Sequence, residues 1–132
     1  MTGEELVWLE SIGALRRKID RALTELPCCA SKKDLRALEI QLRGCTRELG
    51  GQGAPSERLQ PVFALVKKAC AQYDKGAKCF AAAAAIGIPL GGSPEERKLN
   101  DAINCGFSAP GKGTVLLADA ESTGDGVKLQ AA

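Results

Sequence analysis

The sequence predicts an all-α fold: an antiparallel bundle of four main helices with a short C-terminal helix, stapled by disulfide bonds. Apolar residues recur at steps of three and four along three long segments, which is the period of an amphipathic helix. No stretch alternates apolar and polar residues for long enough to indicate a strand. Six cysteines supply the staples, and a length of 132 residues predicts one helical domain over residues 1–132.

Caps at their starts and chain-breaking residues at their ends mark the first two helices. Thr2 with Glu5 has the spacing of a capping box, and Pro27 cannot continue a helix. Ser31 begins the second helix in the same way as Thr2, and the pair Gly50-Gly51 ends it. These signals predict helices over residues 3–26 and 32–49.

Prolines and glycines mark the third and fourth helices. Pro61 suits the first turn of a helix, where its missing N–H needs no partner, and Gly87 ends that helix. The pair Ser93-Pro94 supplies a cap and a first-turn proline for the next helix, which Gly106 ends. A short fifth helix closes the chain. The predicted ranges are 60–86, 94–105 and 115–121.

Apolar stripes predict how these helices pack. Three stripes joined by short loops fold most simply as antiparallel neighbours around one core, and the fourth helix closes the bundle with Leu99 and Ile103. The stripes are Leu9, Ile12, Ile19, Leu23 and Leu26; Leu35, Leu38, Leu42, Cys45 and Leu49; and Phe63, Val66, Cys70, Tyr73, Ala77, Phe80 and Ala84.

The cysteine count indicates the compartment. An even number of cysteines in a small domain is typical of a disulfide framework, which persists outside the reducing cytosol. The alternative is a cytosolic protein with buried free thiols. The first residues contain neither the basic region nor the apolar region of a signal peptide. If the protein is exported, we therefore expect that a signal peptide has been cleaved from it. We therefore expect an extracytoplasmic protein, either secreted or anchored at the surface.

Helical register predicts one disulfide bond, Cys45–Cys70. Folding the second and third helices about the loop near Pro55 brings these cysteines within roughly 8 Å along the helix axis, at a rise of about 1.5 Å per residue. Loop adjustment then brings them into bonding range.

The other four cysteines gather at one end of the predicted bundle. The first-ranked prediction bonds Cys28 and Cys29 to Cys79 and Cys105, in an order that the sequence leaves open. Cys79 points away from the core stripe of its helix, at about 100° per residue, which suits a Cys79–Cys105 bond instead. That second-ranked pairing leaves the adjacent Cys28 and Cys29 without Cys79 and Cys105 as partners.

Composition argues against several classes of function. Histidine is absent, which removes the commonest general base and the commonest metal ligand. There is no Cys-x-x-Cys pair, and no spacing joins a nucleophile to a base, so the sequence predicts a non-enzyme without metal or cofactor. A net charge of +2 is too small to indicate a nucleic-acid partner. No segment of the sequence is typical of a transmembrane helix.

Residues 106–114 approach the pattern of a phosphate-binding loop. Gly113 stands where that motif requires Ser or Thr, and a helix precedes the segment in place of a strand. We therefore expect a solvated Gly/Pro loop that opens the last helix after Thr114.

Five residues are candidates for lining a ligand site between the helices. Arg16 falls inside an apolar stripe, where its stem covers the bundle surface or its guanidinium holds an anionic group. The run Ala81 to Ala85 permits either close packing or an open space. Large side chains on the stripes would form the wall of such a space. The candidates are Trp8, Arg16, Phe63, Tyr73 and Phe80.

The function predicted first is a non-enzymatic extracytoplasmic module that acts through protein–protein contact, because a stapled scaffold without reactive groups presents a surface. The alternative is a carrier of a small amphipathic ligand in the bundle interior. A further alternative is a cytosolic thiol redox or metal-binding protein.

Overall fold

The computed structural model of the chain describes residues 1–28, 30–87 and 91–131, which form four α-helices packed in contact. No strand occurs in these ranges, so the predicted all-α class is confirmed. A π-helical turn continues the second helix, and a 3-10 turn precedes the third. The elements are α1, Gly3–Thr24; α2, Lys32–Cys45; the π turn, Thr46–Gly50; the 3-10 turn, Glu57–Leu59; α3, Gln60–Ile86; and α4, Pro94–Ala131.

Capping boxes begin α1 and α2 where the sequence predicts them. The Thr2 hydroxyl accepts a hydrogen bond from the Glu5 N–H (3.1 Å), and the Glu5 carboxylate accepts one from the Thr2 N–H (2.9 Å). Ser31 and Asp34 repeat this exchange at α2. Both boxes satisfy N–H groups that have no partner within the helix. α1 ends at Thr24, two residues before the predicted limit.

α2 and α3 run antiparallel, with the π turn of Thr46–Gly50 against the middle of α3. The Thr46 hydroxyl donates to the Asp74 carboxylate (2.7 Å), whereas a β-carbon on Gly50 would lie 3.5 Å from the Cys70 sulfur. A disulfide bond joins Cys45 to Cys70, with the α-carbons 5.1 Å apart, and this is the pair that the helical register predicts. Both sulfurs belong to the buried core.

A second disulfide bond joins α3 to α4 and corrects the first-ranked pairing. Cys79 bonds to Cys105, with the α-carbons 5.8 Å apart, and neither bonds to Cys28 or Cys29. The physical reason is the direction of Cys79: it lies off the core stripe of α3 and faces α4. Cys28 lies exposed after α1, and Cys29 lies outside the described residues.

α4 is one continuous helix of 38 residues, where the sequence predicts two helices separated by a loop. Gly106, Pro110 and Gly113 lie inside this helix and are buried. The prediction of a solvated loop over residues 106–114, and of helices that end at 105 and restart at 115, was therefore wrong. Small residues and proline were interpreted as loop formers, whereas here they serve close contact with neighbouring helices.

Glycines allow α4 to approach α3 and α1 closely. A β-carbon on Gly106 would lie 2.7 Å from the Phe80 ring, and one on Gly113 would lie 3.0 Å from the Tyr73 ring. Lower numbers on α4 meet higher numbers on α3, so these helices are antiparallel. The close approaches pair Gly76 with Pro110, Gly106 with Phe80, Gly113 with Tyr73, and Gly124 with Leu9.

Side chains from all four helices and from both short turns form the core. The largest of them are completely shielded from solvent and meet between the helices, so the middle of the bundle is packed. No helix within the described ranges combines the length and hydropathy that a membrane span requires. The fully buried large side chains include Ile12, Ile19, Leu42, Leu59, Val62, Val66, Tyr73, Phe80 and Leu117.

Candidate functional site

Two of the five predicted ligand-lining residues belong to a polar network that joins α1, α3 and α4. The Arg16 guanidinium donates to the Glu121 carboxylate and lies 3.5 Å from the Asp20 carboxylate. The Thr114 hydroxyl donates to Asp20 (3.0 Å) and lies 3.0 Å from the Tyr73 hydroxyl. Two carboxylates face the one guanidinium, so the charge of Arg16 is neutralised by the protein itself.

The pKa values of this network follow from burial and pairing. Burial raises the pKa of Tyr73 to about 12, so the phenol stays protonated and donates to Thr114 at neutral pH. The hydrogen bond to Glu121 raises the pKa of Arg16. A protonated phenol and a paired arginine thus join the three helices.

The aromatic candidates lie at separate places. Trp8 and Phe63 form a tilted pair with ring centroids 6.5 Å apart. Trp8 also borders a cleft of about 570 Å³ whose lining includes the carboxylates Glu4 and Glu48. Phe80 is fully buried and meets Phe107 edge to face, with centroids 5.4 Å apart. The five candidates therefore do not line one common cavity.

An apolar groove of about 810 Å³ lies at one end of the bundle, where the loop after α1 and the start of α2 face α3 and α4. Its volume is within the range of small-molecule sites in proteins. The walls come from elements that are distant in sequence, so no local motif marks the site. Its apolar lining includes Leu26, Leu35, Ala84, Leu99, Ile103 and Phe107.

The polar lining of the groove is sparse. Ser31 and Lys32, at the start of α2, border it, and among the described lining residues Lys32 is the only charged one. No carboxylate within the described ranges lies at ion-pair distance from the Lys32 ammonium, which belongs to an exposed residue. The groove thus combines apolar walls with one positive charge at its edge.

The sequence predicts one wall of this groove and not the others. The run Ala81 to Ala85 predicts either close packing or open space, and Ala83 and Ala84 from that run line the groove. The predicted loop over residues 106–114 placed Phe107 away from the bundle. Because α4 is continuous, Phe107 lies on the same face of the helix as Leu99, which precedes it by eight residues.

A buried carboxylate, Glu5, lies at the opposite end of the bundle from the groove. The Glu5 side chain is 3% exposed and receives hydrogen bonds from the Arg58 guanidinium at 2.6 and 2.7 Å and from the Ser56 hydroxyl at 2.7 Å. The Arg58 guanidinium, together with the Thr2 N–H, holds the pKa of Glu5 well below its usual range. This cluster ties the segment before α3 to the start of α1.

Comparisons with protein-family models, with curated proteins and with solved structures find no match to this chain. Within residues 1–28, 30–87 and 91–131, no three His, Cys, Asp or Glu side chains are grouped as a metal site would need.

Proposed function

We propose that this protein is a non-enzymatic carrier that binds a small amphipathic molecule in the groove at the end of the bundle. One observation carries the proposal: apolar walls from α2, α3, α4 and the loop after α1 border about 810 Å³, and Lys32 is the one charged residue among the described residues that line it. Ligand pockets are typically apolar and hold a few polar groups that orient the ligand. The site is this groove, because core side chains fill the bundle interior.

Contact with a protein partner is the second candidate. Its support is a set of apolar side chains that are exposed to solvent on separate helices. Val7 is 67% exposed, Ile40 62% and Val115 61%. Scattered exposed apolar residues are common in proteins that have no partner, whereas a groove of this size is less common. The groove therefore ranks first.

The disulfide pairing supports an extracytoplasmic place of action. Bonds between cysteines of different helices persist in oxidising compartments, and the reducing cytosol opposes them. The bonds Cys45–Cys70 and Cys79–Cys105 also engage thiols that a cytosolic redox or metal protein would need in reduced form. The carrier is accordingly proposed for the outside of the cell membrane.

Binding of a neutral apolar dye, N-phenyl-1-naphthylamine, tests the proposal. The matched variants are Leu99→Asp, in the groove wall, and Val115→Asp, at an exposed site on the same helix that does not line the groove. We expect saturable binding to the native protein and to Val115→Asp. Leu99→Asp should bind about tenfold more weakly, because loss of a Leu contact removes roughly 1.5 kcal/mol.

Two results would contradict the carrier function. One is the absence of saturable dye binding to the native, disulfide-bonded protein. The other is equal binding by both variants, which would place the dye elsewhere. Circular dichroism of each variant establishes that Leu99→Asp retains the helical content of the native protein.

A further inference from the structure

We infer that the groove selects long-chain carboxylates over neutral and cationic amphiphiles, with the carboxylate held at Lys32 and the chain lying along α4. This inference rests on the proposed carrier function and adds the chemical class of the ligand. Both the charge at the groove edge and the shape of its walls contribute to it.

The charge at the groove edge is positive and available. Lys32 is exposed at the first position of α2, and its apolar stem can lie along the groove wall while its ammonium stays hydrated. The nearest carboxylate in sequence, Asp34, is occupied by the capping box: Ser31 donates to it from both its N–H and its hydroxyl at 2.9 Å.

The apolar wall suits an extended chain. Leu99, Ile103 and Phe107 follow one another at steps of four residues on α4, which places them on one face over about 12 Å at 1.5 Å per residue. A carboxylate is costly to bury and therefore stays at the edge, while the chain replaces water along this wall. One lysine matches one monovalent head group, which favours a fatty acid over a phosphate monoester.

Three ligands with the same decyl chain test the selectivity: decanoate, decanol and decyltrimethylammonium. Their dissociation constants are measured by displacement of N-phenyl-1-naphthylamine from the disulfide-bonded protein at low ionic strength. Decanoate should bind up to about fivefold more tightly than decanol, the size of an exposed charge pair, and decyltrimethylammonium should bind more weakly than decanol because Lys32 repels it. Raising the salt concentration should reduce these differences, because salt screens exposed charges.

Lys32→Glu and Lys33→Glu are the matched variants, since they make the same charge change at neighbouring exposed residues and only Lys32 lines the groove. Glutamate suits the first turn of a helix, so both variants should fold. We expect Lys32→Glu to reverse the order of the charged ligands, so that decyltrimethylammonium binds more tightly than decanoate. Lys33→Glu should keep the native order.

The outcomes separate this inference from the carrier function. If the dye binds but the three ligands bind equally, or if none of them displaces it, the inferred selectivity for carboxylates is wrong, whereas binding of apolar molecules in the groove is not contradicted. The same conclusion follows if Lys33→Glu reverses the order as fully as Lys32→Glu. If the dye itself does not bind to the native protein, both the carrier function and its selectivity are wrong.

Discussion

Replacement of Gly106 by alanine tests the most unexpected feature of the fold, the continuity and close packing of α4. A β-carbon at this position would lie 2.7 Å from two atoms of the Phe80 ring, closer than carbon atoms approach without displacement. Phe80 is fully buried and cannot move outwards into solvent. Either the ring or the helix must therefore shift.

Two opposing contributions determine the size of the effect. Alanine is favoured over glycine inside a helix by about 1 kcal/mol. Overpacking a close-fitting core costs typically about 1–3 kcal/mol. Gly111 supplies the control, because it is exposed on the same helix and its β-carbon would meet nothing within 4 Å. Gly111→Ala should therefore gain about 1 kcal/mol, and Gly106→Ala should be about 1–3 kcal/mol less stable than that control.

Urea unfolding of the disulfide-bonded protein, followed by far-ultraviolet circular dichroism, measures both free energies of unfolding. If Gly106→Ala stabilises the protein as much as Gly111→Ala, α4 does not pack closely against the Phe80 ring. If Gly111→Ala brings no gain in stability, the segment around it is not helical. The second result would restore the solvated loop that the sequence predicts.

Three further measurements address other parts of the fold. Glu5→Gln should lower the free energy of unfolding at pH 7 and flatten the decline of that free energy in acid. Pairing with Arg58 lowers the Glu5 pKa, so the ion pair contributes fully above about pH 4.3. Its contribution is lost as the pH falls towards the lower pKa of the folded state. Tyr73, the single tyrosine, should ionise near pH 12 in the folded protein, as followed by ultraviolet absorbance. Because tyrosine in the unfolded chain ionises near pH 10, the free energy of unfolding should fall as the pH rises from about 10 to about 12. Titration near pH 10 in the folded protein would refute the burial of Tyr73. Limited reduction should open the half-buried Cys79–Cys105 disulfide before the buried Cys45–Cys70 disulfide, as detected by alkylation and peptide mapping. The reverse order would contradict the burial of Cys45–Cys70.

Features that depend on neighbouring residues could be predicted from the sequence. The capping boxes at Thr2 and Ser31 join residues three apart, so each is visible in a short stretch of sequence. The stripe of α3 likewise follows from its period and accounts for the burial of Val66, Tyr73 and Phe80. These signals are local, and they were enough to establish the all-α class and the positions where α1 and α2 begin.

The parts that could not be predicted depend on residues that are remote in sequence. Gly106 and Gly113 lie inside a helix because rings from α3 occupy the space that their side chains would fill. Without the position of those rings, a run rich in glycine that contains Pro110 is typical of a loop. Lys32 acquires a special environment for the same reason: the groove beside it is completed by α3 and α4.

The α3–α4 disulfide and the groove are connected through the geometry of α4. Cys105 lies between Ile103 and Phe107, and its partner Cys79 precedes the groove residue Ala83 by about one turn of α3. The glycines of α4 that approach α3 closely begin at Gly106, next to this disulfide. The covalent bond fixes the separation of the two walls at that point. A groove whose walls are joined in this way would lose little conformational freedom on binding the proposed ligand, which favours affinity.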